Sequence, residues 1–173
     1  IEGEQRLPGK VHYFKGSDPE KWRTDVPTYE KIRCRDVYPG IDLVYSGTTS
    51  RLKYTFIVQP GADPDRIGLA YRGATDVRLT EGGRLAVSTP VSGFEDDVPY
   101  AFQEVGGERV EVDASYALEA EQTPGTHRYG FHLGSYDDTN LVFPVGARNQ
   151  VMIPLHVGGG YTHVVKDIVM LDV

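Results

Sequence analysis

Asp36-Val37-Tyr38-Pro39-Gly40-Ile41-Asp42-Leu43-Val44-Tyr45 decides how this chain is read. One strand runs into a Pro-Gly corner and a second leaves it in apolar/polar alternation, with Ile41, Leu43 and Tyr45 on one face. Proline presets the first corner of a turn and glycine takes the left-handed second corner, so the pair stops one strand and aims the next. Downstream the pattern repeats. Leu52, Tyr54, Phe56 and Val58 share a face, Lys53 and Thr55 lie opposite, and the strand ends at Gln59-Pro60-Gly61-Ala62-Asp63-Pro64.

Working outward, Thr28–Asp36 and Val11-His12-Tyr13-Phe14 read as strands. Asp18-Pro19-Glu20-Lys21-Trp22 reads as one helical turn with a capping aspartate and proline at the first helical position. Trp22 is expected to plug an edge of the core. Asp63-Pro64-Asp65-Arg66-Ile67 is a second capped turn and leads into a strand over Gly68–Tyr71. Val77-Arg78-Leu79 and Leu85-Ala86-Val87 flank Glu81-Gly82-Gly83 as a hairpin. Tyr100–Val105 and Glu108–Tyr116 flank Gly106-Gly107, a two-residue loop that suits strand twist. In the latter strand Val110, Val112, Ala114 and Tyr116 are expected inside, and Tyr129, Phe131 and Leu133 repeat the pattern. About a dozen short strands at such spacing predict an all-β, sandwich-like domain of mostly antiparallel strands with one or two single-turn helices.

Composition agrees. The 173 residues suffice for one domain with a real core, and 39% apolar with 25% charged residues is a globular balance. Eleven tyrosines against two methionines favour pleated surfaces over helices. A net charge of −7 argues against nucleic acid, which needs a basic face; Lys31-Ile32-Arg33-Cys34-Arg35 is the one local cluster. No apolar run approaches the roughly 20 residues of a transmembrane helix. Cys34 is the sole cysteine, so no internal disulfide forms, and it reads as a small buried hydrophobe. The chain opens at Ile1 with no leader pattern, which permits secretion.

Residues 1–10 are polar, carry Pro8-Gly9 and are expected to form an N-terminal arm before a domain over 11–144. A C-terminal segment, 145–173, departs from the rest. Val151–Val157 ends in Gly158-Gly159-Gly160, and the final stretch places Val169, Leu171 and Val173 on one strand face with Ile168 and Met170 on the other. A strand apolar on both faces needs cover on both. It either closes the domain's own core or enters a neighbouring subunit, which makes Tyr161, Ile168, Val169, Met170, Leu171 and Val173 the candidate interface.

From Gly16 to about Pro144 a series of motifs follows in a characteristic order. It runs through Asp18-Pro19-Glu20-Lys21-Trp22, Val26-Pro27-Thr28-Tyr29, the opening decapeptide, Tyr54–Pro64 and Tyr71-Arg72-Gly73-Ala74. Pro99-Tyr100-Ala101-Phe102-Gln103 and Gly134-Ser135-Tyr136-Asp137 complete it. The order resembles the β domain that precedes seven-bladed β-propeller (SBBP) repeats in large secreted bacterial proteins. That resemblance implies an extracellular or cell-surface β module and transfers no active site. Phe143, where that family tends to carry Asp before its closing Pro, and the strand-like tail in place of propeller repeats are departures from it.

The residues offer little chemistry. His12, His127, His132, His156 and His163 show no ligand spacing and stand near no nucleophile pattern. Asp63/Asp65, Glu95-Asp96-Asp97 and Asp137-Asp138 could supply oxygens to calcium, but no DxDxDG ladder is present. No nucleophile elbow, phosphate loop or dinucleotide fingerprint occurs. The expectation is a non-enzymatic structural module of a surface assembly or filament, partnered by copies of itself and joined by strand exchange. The alternative is a carbohydrate- or surface-binding module that stacks sugars on exposed tyrosines; a hydrolase would need converging carboxylates, which nothing in the sequence places.

Overall fold

The computed structural model describes residues 1–48, 51–138, 143–145, 148–149, 162–165 and 168–171. In chain order the strands are β1 (Glu2–Tyr13), β2 (Arg23–Tyr38), β3 (Ile41–Thr48), β4 (Arg51–Val58), β5 (Leu69–Arg72) and β6 (Asp76–Leu79). There follow β7 (Leu85–Ser88), β8 (Gly93–Asp96), β9 (Ala101–Val105), β10 (Glu108–Val112), β11 (Ala114–Leu118) and β12 (Thr126–Leu133). The last are β13 (Phe143–Val145), β14 (Arg148–Asn149), β15 (Thr162–Val165) and β16 (Ile168–Leu171). The fold is all-β with antiparallel pairing, and two lone 3-10 turns are the helical elements among the described residues.

A nine-stranded sheet runs β1-β2-β3-β4-β14-β8-β7-β6, with β13 also on β4. A five-stranded sheet runs β11-β12-β5-β15-β16, and β9 and β10 pair with each other. The opening decapeptide is the β2–β3 corner. Gly40 sits at φ +70°, and a Cβ there would come within 2.9 Å of Ala62 Cβ. Its carbonyl accepts from the Gln59 N–H at 2.9 Å, so the two Pro-Gly corners lock onto each other. Asp42 accepts from the Asp36 N–H at 2.9 Å and fixes the approach.

The alternation in β3 and β4 is expressed over Ile41–Tyr45 and Tyr54–Val58, with two departures: Leu52, expected on the inward face, is exposed near the start of β4, and Val44 on the opposite phase is buried. Ile41, Leu43, Tyr45, Tyr54, Phe56 and Val58 are buried, and Lys53 is exposed. Phe56 meets Phe131 of the five-stranded sheet at 6.1 Å between ring centroids, which brings the two sheets onto one core. The Asp18 and Asp63 carboxylates cap Pro19–Lys21 and Pro64–Arg66, accepting from Glu20 and Asp65 N–H at 3.1 Å. Cys34 is buried, and that burial pushes its thiol up.

Some expectations are corrected. Val110 is exposed although Val112, on the same phase, is buried: the expected strand Glu108–Tyr116 breaks at Asp113, β11 joins the other sheet, and the outer part of β10 pairs β9 alone among the described residues. The Gly134 N–H donates to the Asp113 carbonyl at 2.8 Å at that break. Trp22 stands outside the core cluster, held by its Nε1 bond to the Gly16 carbonyl at 3.1 Å and by Phe14. The boundary expected between an arm over 1–10 and a domain from Val11 falls inside β1, which is paired to β2 from Glu2 onward.

Candidate functional site

Strand β5 is the most constrained element near the C-terminal segment. Leu69 and Ala70 are buried, so the strand's backbone groups must find partners within the sheet. On one edge β12 supplies them, with Tyr129 opposite Leu69 and Thr126 opposite Arg72. On the other edge β15 does so, with Val165 opposite Leu69 and Thr162 opposite Arg72. Both partners begin Thr-His in the same register, Thr126-His127 and Thr162-His163. Strand β16 then pairs β15, placing Ile168 opposite Val165 and Leu171 opposite Thr162.

Of the six candidate interface residues, Ile168, Val169, Met170 and Leu171 therefore form the last strand of that sheet. Tyr161 and Val173 lie outside the described residues, as do the strand expected over Val151–Val157, His156 and Gly158-Gly159-Gly160.

Beneath β5 lies a sealed polar group that sequence reasoning missed. Asp96, on β8, is 0% exposed. Tyr71 donates to its Oδ2 at 3.0 Å, and the Tyr129 hydroxyl donates to that of Tyr71 at 3.5 Å. Tyr54 and Tyr116 add hydroxyls to the same group, and Tyr116 also donates to the Asp97 carbonyl at 2.8 Å. Asp96 Oδ1 has no hydrogen-bond partner among the described residues. Burial pushes the Asp96 carboxyl up to about 7, against the Tyr71 hydrogen bond and with the neighbouring Asp97 charge. Burial likewise holds Tyr54, Tyr71 and Tyr129 well above the ordinary phenol range. A group with Tyr54, Tyr129 and Asp96 fully covered gives a solute no entry, so its chemistry is that of core stability. The sequence signal was faint: an acid in Glu95-Asp96-Asp97 on the inward phase of a short strand.

The other acidic clusters are engaged locally. Asp63 caps its turn, and Glu95 and Asp97 pair with Arg84 at 3.4 and 3.5 Å. The Asp137 backbone exchanges two bonds with the Gln103 amide, at 2.6 and 2.9 Å. Tyr136 is raised by burial and by the charges of Asp65, Asp63 and Asp138, which the fold gathers around it. Among the described residues no set of three His, Cys, Asp or Glu side chains could hold a metal ion. The histidines are dispersed: His12 in β1, His127 and His132 in β12, and His163 in β15. No helix of the described residues is long and apolar enough to cross a membrane.

A family model described as a domain of unknown function, DUF7948, matches residues 1–143. The chain belongs to this family. The match takes in all of β1, including the residues expected to form an arm, and ends at the first residue of β13. Strands β14, β15 and β16 thus lie beyond the matched region. No curated protein and no solved structure matches the chain.

Proposed function

We propose that this chain is a non-enzymatic structural module of an extracellular or cell-surface assembly, whose copies are joined by exchange of the C-terminal strands. One observation carries the reading. The second edge of β5, a buried strand of the family domain, is completed by Thr162–Val165, a segment beyond the family match. Left open, that edge would expose unpaired N–H and C=O groups and invite any extended chain to pair there. A strand that fills the slot from its own chain can fill the same slot in a neighbour, with the same main-chain bonds. Gly158-Gly159-Gly160 precedes it in sequence, and successive glycines impose little restriction on where a chain leads.

Further support comes from the motif order that resembles the domain preceding SBBP repeats, which favours a secreted setting. The absence from the sequence of nucleophile, cofactor or metal-ligand spacing favours a structural role over catalysis. Head-to-tail donation does not close on itself, so the expected product is an open filament.

Deleting residues 161–173 tests the reading. The remainder is expected to stay folded and monomeric and to bind an added peptide of residues 161–173. If the truncated chain unfolds while the full chain is monomeric at every concentration, strand exchange is refuted.

A further inference from the structure

Asp96 stands where three parts of the fold meet. As the last residue of β8 it lies opposite Leu85 of β7 on one side and opposite Asn149 of β14 on the other. Its Oδ2 accepts from Tyr71 of β5, which ties the nine-stranded sheet to the five-stranded one. Strand β14 in turn links β1–β4 to β6–β8, with Arg148 opposite Lys53 and Asn149 opposite Leu52 on its β4 edge. These holds are unequal. Strand β7 accompanies β8 along its whole length, from Leu85–Asp96 to Ser88–Gly93. Tyr71 is stacked on Tyr129 at 5.4 Å and meets Phe94 edge-on at 5.5 Å. Strand β14 is two residues long and, among the described residues, meets β8 at Asn149–Asp96 alone. Local opening begins where pairing is shortest, so β14 gives way before β7 or β5.

The Asp96 carboxyl gives that seam a reason to open. Its Oδ1 has no hydrogen-bond partner among the described residues. Around it Tyr54 of β4, Tyr71 of β5, Tyr116 of β11 and Tyr129 of β12 are neutral phenols, all held above the ordinary range. The charge that acts on it is Asp97, of like sign, which shares Arg84 with Glu95 at 3.5 and 3.4 Å. Arg148 and Lys53 stand opposite each other across the β14–β4 edge, and His127 and His163 stand opposite Tyr71 on the two edges of β5. No cation pairs with Asp96 among the described residues. A sealed carboxylate with one hydrogen bond and a like charge beside it is costly, and water at Oδ1 relieves that cost. Asn149 is its cross-strand neighbour, so lifting β14 opens the flank of Asp96.

We propose that ionisation of Asp96 unlatches β14 from β8, so that the C-terminal segment is held at acid pH and loosened near neutrality. The sign follows from the carboxyl, which burial raises to about 7 in the closed seam and which returns toward its ordinary 3.8 once water reaches it. The closed seam keeps a proton that the open one releases. Opening therefore grows as pH rises from about 4 to about 7 and is level above. The latch stands without strand exchange. As a control on strand exchange it rests on the assembly reading above, because freeing β14 lengthens the tether between β13 and β15.

Amide hydrogen exchange in the full chain tests this, read by NMR from pH 5 to pH 8 and corrected for the intrinsic rate at each pH. Opening at Leu52, Lys53, Arg148 and Asn149 is expected to rise by at least about tenfold over that range. It should also be indifferent to low urea, because a local opening exposes little surface, whereas the amides of Leu43 and Phe56 exchange more slowly and respond to urea. Opening at β14 that ignores pH would overturn the latch. So would opening that follows urea together with Leu43 and Phe56, since Asp96 would then act through global unfolding alone. In Asp96→Asn the rise should vanish, and its persistence would also overturn the latch. Tyr71→Phe removes the donor to Oδ2 and should carry the rise to higher pH; an unmoved rise in that variant counts against the latch even where Asp96→Asn does not fold. A chain that opens as described yet stays monomeric at every pH would keep the latch and refute strand exchange.

Discussion

Phe56 and Lys53 sit three residues apart on β4 and make the sharpest contrast available to single substitutions. Phe56 is fully buried between Tyr54 and Phe131, while Lys53 points to solvent. Phe56→Ala is expected to destabilise by about 3–5 kcal/mol and Lys53→Ala by less than about 0.5 kcal/mol, read from denaturant midpoints. Equal effects would show the strand phase to be wrong. Asp96 makes a different prediction, in pH. Its folded pKa of about 7 exceeds the ordinary 3.8, so the native state keeps a proton that the unfolded chain releases. Stability therefore falls as pH rises from about 4 to about 7 and levels off above, by up to the order of 4 kcal/mol from this residue. In Asp96→Asn that decline should vanish from urea titrations at successive pH values. An unchanged decline would place its source elsewhere.

The strands and corners were legible where one local rule acted alone. Tyr54, Phe56 and Val58 obey a period of two because one face of β4 meets the core, and Asp18 and Asp63 cap because proline follows each directly. Val110 keeps the inward phase of Val112 and Tyr116 yet is exposed, because β10 pairs β9 alone among the described residues, a tertiary circumstance with no local mark. The stretch 1–10 reads as an arm, ahead of the strand expected over 11–14, because Pro8-Gly9 and its charged residues suppress the alternation. It pairs nonetheless through the Glu2–Arg35 and Glu4–Arg33 ion pairs and through the Tyr29 ring, which lies over Gly3 where no side chain intervenes. The Asp96 cluster was invisible for a related reason, since its members come from β4, β5, β8, β11 and β12. At the corners, Gly61 has φ +76° with open space around it, whereas Gly40 combines φ +70° with the Ala62 contact. Gly61→Ala should cost about 1–2 kcal/mol for the left-handed backbone alone, and Gly40→Ala distinctly more. Equal midpoint shifts in guanidinium would refute the interlock.

At the scale of the molecule, the family match covers residues 1–143, and beyond it β15 and β16 continue the five-stranded sheet past β5. On the strand-exchange proposal, the edge of β5 is a slot that another copy's strand can occupy. Val164 and Ala70 stand directly opposite each other across that pairing, which sets up a covalent trap. In a Cys34→Ser background, one chain carries Val164→Cys and a second, distinguishable in mass, carries Ala70→Cys. The two are mixed under mild oxidation and read by mass spectrometry. Strand exchange predicts a disulfide-linked dimer containing one of each chain. If the link forms only when both cysteines are placed in the same chain, the strand stays in its own sheet and strand exchange is refuted.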